Sequence, residues 1–161
     1  MDEAYQPPAD LSPAVRALLS TTHDRHLDMT RLVGGLPPGG LKWVPADGAS
    51  TLAGLTLHVL DVERYLVALL TGEDIGWTGQ RGTRITEEAT ETELIAEIEE
   101  RDAEMKAAIA AVTAERWGSG DVANLLDDLD HVAVHQGQMQ LTRNLYEAAY
   151  PDASGSYEHW R

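Results

Sequence analysis

Cysteine is absent from the 161-residue chain, and so is phenylalanine. Without a thiol there is no disulfide, no cysteine nucleophile, no iron–sulfur cluster and no thiolate zinc site. Any transition metal must then rest on imidazole and carboxylate. The absence also fits a reducing cytoplasm. With no Phe, and aromatic residues at only 6%, the core has to be filled by Leu, Val, Ile, Ala and Met. That mix favours helices over sheets. Basic residues are scarce as well: twelve Lys and Arg stand against 27 Asp and Glu, a formal charge of −15. Phosphate neutralisation supplies most nucleic-acid affinity, so DNA, RNA and anionic membranes are not expected partners. No apolar run approaches the roughly 20 residues of a membrane helix. The N-terminal MDEAYQPPAD is acidic and lacks the apolar stretch of a signal peptide. These shortages lead to the expectation of a soluble, cytoplasmic protein, a single domain over 1–161 with tails at 1–11 and 151–161.

What is present reads as four helices separated by Gly and Pro. Neither a period-two alternation nor an internal repeat is found. The first helix is expected from about Pro13 to Val33, with Ser12 as N-cap, Pro13 at the first helical position and Gly34-Gly35 as the stop. After the turn-rich LPPGGLKWVPADGAS, the stretch TLAGLTLHVLDVERYLVALL begins a second helix behind Ser50 as N-cap and ends at Thr71-Gly72. The loop GEDIGWTGQRG follows, and then Thr90-x-x-Glu93, a capping box. It opens a third helix through Leu94, Ile98, Met105, Ile109 and Val112, expected to end near Trp117-Gly118. The fourth runs from about Asp121 to Ala149 and is stopped by Pro151. Helices of roughly 20 to 29 residues make a bundle about 30 to 40 Å tall.

The fourth helix contains DHVAVHQGQMQLTRNLYE, in which His131 and His135 lie one turn apart. Residues advance about 100° each around a helix, so with His131 at zero His135 falls at about 40°, Gln138 at about −20° and Thr142 at about 20°. Leu125, Leu129, Val132 and Met139 lie to one side of that stripe, and Val134, Leu141 and Leu145 to the other. This places the two imidazoles in the middle of the apolar face. On the second helix His58 shares a face with Leu55, Val62, Tyr65, Leu66 and Leu69, while Thr56, Glu63 and Arg64 point elsewhere. His58 is therefore expected inside the bundle or at its mouth.

Inward imidazoles need partners, because an unpaired buried polar ring is costly. They are either neutral core histidines bonded to hydroxyls and amides, or ligands. An i, i+4 pair whose nitrogens can converge, joined by a third imidazole from a facing helix, favours a single divalent metal held by His58, His131 and His135. Zn²⁺ and Ni²⁺ suit such a set first, with Fe²⁺ and Cu²⁺ also accommodated. A zincin is excluded, since Val132-Ala133-Val134 fill the gap where that motif carries its Glu. A di-iron bundle wants two Glu-x-x-His motifs, and Asp128-x-x-His131 is the single near match.

Elsewhere, His26 shares the inward stripe of the first helix with Val15, Leu19, Met29 and Val33, and is read as a hydrogen-bonded core histidine. His23 is read as an edge residue in solvent, and His159 as part of the tail. The run ETELIAEIEERDAE is read as the wet face of the third helix. Gln138 could orient a bound water or a ligand imidazole, or serve packing, and Tyr65 is a pocket hydroxyl or a core ring.

Two segments resemble the DinB-like, or YfiT-like, superfamily of small four-helix metalloenzymes. One is LKWVPADGASTLAGLTLHVLDVERYL, a Trp-x-Pro turn and Ser/Thr cap ahead of a helix carrying His and then Glu-Arg. The other is DHVAVHQGQMQLTRNL, similar to that family's His-x-x-x-His-x-Gly-Gln ending. The resemblance implies an antiparallel, up-down-down-up four-helix bundle, often homodimeric, with the metal on a histidine of the second helix and two ligands of the last. By position these are again His58, His131 and His135. It further implies a small-molecule substrate and a low-molecular-weight thiol activated by the metal, as in thiol-dependent transferases and the mycothiol-dependent maleylpyruvate isomerase. The residues alone leave two other outcomes open, a hydrolase using metal-activated water and a non-catalytic metal-binding or sensing domain.

Overall fold

The computed structural model describes residues 5–37, 39–73, 86–112, 116 and 121–151. Among them lie α1 (Pro13–Val33), α2 (Leu52–Thr71), α3 (Glu91–Ala111) and α4 (Asp121–Ala149), with a short 3-10 turn at Gly40–Lys42 and no strand. Local chemistry sets the ends. The Ser12 hydroxyl accepts from the Val15 amide, and Pro13 occupies the first turn of α1. Thr90 and Glu93 form the expected capping box. Gly72 ends α2 in the left-handed conformation at φ 78°.

Two boundaries differ from expectation. The cap of α2 is Thr51, not Ser50: its hydroxyl accepts from the Gly54 amide at 2.8 Å. The third helix stops at Ala111, short of Trp117, and Val112 is already extended at ψ 120°. Val112 and Thr113 are β-branched neighbours with poor helix propensity, which gives the earlier stop a local reason. The GEDIGWTGQRG loop beyond Glu73, Trp117-Gly118, and the tail with His159 and Trp160 lie outside the described residues.

The direction of each helix follows from which of its ends share a core cluster. One cluster joins Val15 and Leu19 at the start of α1, Leu66 and Leu70 at the end of α2, Met105 and Ile109 at the end of α3, and Leu125 near the start of α4. The other joins Met29 and Val33 at the end of α1, Leu52 and Val59 of α2, Ile98 of α3, and Met139 of α4. The bundle is therefore up-down-down-up. α1 packs on α3 and α4, α2 packs on α3 and α4, and α1 and α2 stand diagonally opposed.

Arg143 of α4 fastens the far end of α1. Its buried guanidinium donates to the carbonyls of Arg31, Leu32 and Gly34 at 3.2, 2.7 and 2.9 Å. These are carbonyls that the end of a helix leaves without an internal partner. Arg116 serves α2 in the same way through the carbonyls of Leu69 and Leu70. No described helix is long and apolar enough to cross a membrane.

Candidate metal centre

His58 on α2 and His131 and His135 on α4 come together where these antiparallel helices cross. One nitrogen from each ring lies within 4.8 Å of the others. The Nε2 atoms of His58 and His131 are 3.1 Å apart. Two imidazoles sharing a tetrahedral cation at about 2.0–2.1 Å would hold their nitrogens roughly 3.3 Å apart, so the spacing fits a metal. It equally fits an N–H···N hydrogen bond between neutral rings in metal-free protein. Ring centroids stand 4.5 to 5.1 Å apart, with the planes steeply inclined to one another. His135 Nδ1 lies 2.7 Å from Gln138 Oε1. With that nitrogen as donor, Gln138 fixes the tautomer and leaves Nε2 as the lone-pair atom.

Burial holds the pKa of His58 below its ordinary value, the nearby His135 adds to this, and Asp61 partly opposes it. Burial and the neighbouring imidazoles of His135 and His58 also lower His131, against a smaller pull from Glu63. Both rings are thus neutral at pH 7, the state in which imidazole binds a cation.

The trio does not sit in the middle of a covered apolar face. His58 is exposed and the other two are half-buried. On α4 the buried direction runs through Leu125, Val132 and Met139, whereas Val134 is 56% and Leu141 59% exposed. Tyr65 and Leu69 on α2 are exposed as well, so Tyr65 is not a core ring. The apolar stripe of each helix is wider than its neighbours cover, and the histidines mark the edge of the covered part. The helical wheel gives direction around the axis, but it does not say where coverage stops.

Behind the trio is a polar cluster that sequence reasoning largely missed. His26 is fully buried as expected, but its Nε2 bonds Glu63 at 2.9 Å, and Glu63, expected to point away, is only 2% exposed. Thr56 is likewise buried, its hydroxyl donating to the Leu52 carbonyl at 2.9 Å. His23 is 3% exposed rather than solvated, and its Nδ1 meets both oxygens of Asp102 at 3.2 and 3.1 Å. Asp102 also pairs with Lys106 at 2.6 Å and with His26 Nδ1 at 3.4 Å. Glu97, Arg101 and Asp102 are buried, so the acidic run of α3 is not simply a wet face. The signal available in sequence was pairing: buried histidines on α1 need polar partners, and acids from facing helices are candidates for them.

These contacts set the charges. Burial alone pushes His26 down, but the charge of Glu63 and bonds to Asp102 and Glu63 outweigh it and hold the ring up at about 10. Burial pushes Asp102 up, yet bonds from His26, Lys106 and His23 bring it down to about 2. Burial and the charge of Glu63 raise Asp128 to about 8, only partly opposed by His26. At neutral pH the cluster therefore holds an imidazolium between two carboxylates, with Asp128 protonated beside it.

The family model of the DinB superfamily matches residues 22–139, a span that takes in His26, Glu63 and Asp128 as well as all of the trio. No curated protein and no solved structure matches the chain.

Proposed function

The chain belongs to the DinB superfamily, and on that premise we propose that it is a metal-dependent enzyme with one divalent ion on His58, His131 and His135. The observation that carries this reading is the convergence of three imidazole nitrogens from two helices. Zn²⁺ or Ni²⁺ suits the donor set best, and Fe²⁺ is also compatible. A bound divalent cation supplies Lewis-acid charge that lowers the pKa of a thiol or a water. The chain's own part is to hold three neutral donors, which leave the ion its full charge. Gln138 fixes the His135 ring, and the edge position opens the centre directly to a small molecule. We read the reaction as transfer or isomerisation through a low-molecular-weight thiol, carried out by a cytoplasmic homodimer. The place of the thiol rests on the family resemblance alone.

The test is elemental analysis of untagged protein beside His58→Ala, followed by turnover assays with thiols and electrophiles. About one metal per chain in the wild type, lost in the variant, is the expected result. Full metal in His58→Ala refutes the ligand set. Turnover without thiol assigns a hydrolase, and inertness with every thiol assigns a metal-binding or sensing domain.

A further inference from the structure

Resting on that reading of the trio, we propose that Asp128 is the positioning residue for His131. The carbonyl oxygen of its carboxyl accepts the Nδ1–H of that ring, so that Nε2 is kept as the lone-pair atom facing His58.

The two rings of α4 are held differently. His135 has Gln138 on its Nδ1, but His131 Nδ1 is buried with no hydrogen-bond partner. Both oxygens of Asp128 are buried without a partner too, and the residue is only 6% exposed. Donor and acceptor belong to one helix at i and i+3, where side chains are neighbours with Cβ atoms about 5–6 Å apart. At that separation the two side chains are in reach of one another through their own torsions. Buried polar groups in native proteins are nearly always paired, so two complementary orphans one turn apart identify each other. Glu63, the buried carboxylate whose charge acts on His131, is already engaged, accepting the His26 Nε2–H at 2.9 Å.

The orientation is the one a ligand imidazole requires. His131 Nε2 faces His58 Nε2 at 3.1 Å, so a proton fixed on Nδ1 leaves Nε2 free to accept. Metal-bound histidines commonly donate their other N–H to a carboxylate, and removing that acceptor weakens metal binding about 10–100-fold.

Two measurements decide the proposal. In metal-free, ¹⁵N-labelled wild type, long-range ¹H–¹⁵N correlations read the His131 tautomer. The expected form is Nδ1–H, and Nε2–H overturns the proposal. Zinc affinity is then measured by competition with a chromophoric chelator. Asp128→Ala is expected to bind about 10–100-fold more weakly, while Asp128→Asn, which keeps an acceptor oxygen, stays within a few-fold of wild type. An unchanged affinity in Asp128→Ala, or an equal loss in both variants, overturns it. The tautomer is read without metal and without a variant. A wild type that bound no zinc would thus refute the metal centre and leave Asp128 to be judged by the tautomer.

Discussion

Raising the pH of the metal-free protein from 6.5 to 10 brings the proton that His26 holds between Glu63 and Asp102 to about half occupancy. The folded pKa of this fully buried ring is about 10, against 6.5 for a free imidazole. A group raised on folding stabilises fully below its unfolded pKa, and that contribution is lost as pH climbs through the folded one. At about 1.4 kcal/mol per pH unit, and with each state half titrated at one end of the window, the interval corresponds to about 4 kcal/mol. Asp128, raised to about 8, acts in the same direction, since its folded form holds a proton that the unfolded chain has already released. His58 and His131, lowered on folding, change stability only as pH falls below 6.5 and are silent in this window. Domains of this size are stable by only about 5–15 kcal/mol, so a large share of the stability should be gone by pH 10. The assay is urea denaturation with chelator present at pH 6.5, 8 and 10, in wild type and Glu63→Gln. The wild-type free energy should fall steeply, and the variant, without the charge that Glu63 places on His26, should fall less. A flat or rising wild-type profile, or parallel profiles in the two proteins, refutes the charged His26–Glu63 pair.

Two other perturbations test the frame around the site. Arg143→Ala strips donors from three carbonyls at the end of α1, and should cost about 2–4 kcal/mol in denaturant melts while leaving metal content unchanged. If the chain is a homodimer through the exposed strip that includes Val134 and Leu141, Leu141→Glu should shift sedimentation from dimer to monomer; an unmoved dimer excludes that face.

Most helix boundaries were legible because caps act within a few residues; the cap of α2 and the end of α3 were not. Ser12, the Thr90–Glu93 box and the stop at Gly72 stand where the chain itself places them. The i, i+4 spacing of His131 and His135 was legible for the same reason, as was the inward direction of His26. Exposure was not. Thr56 and Glu63 looked as though they faced away because the wheel centred α2 on His58, whereas the helix buries the side through Val59, Glu63 and Leu66. His23 looked exposed because its partner, Asp102, lies far along the chain on α3.

Sequence alone determined four helices, the N-caps of the first and third, a core filled mainly by aliphatic side chains, and a pair of imidazoles one turn apart. Those follow from propensity and from the fixed turn of the helix, which operate over short separations. Tertiary structure decided that α2 meets α4 so that His58 joins the pair, and that the trio lies at the rim of the core. It also decided that acids of α2, α3 and α4 surround the histidines of α1. Coverage and charge pairing depend on which helices become neighbours, and no helix carries that information within itself.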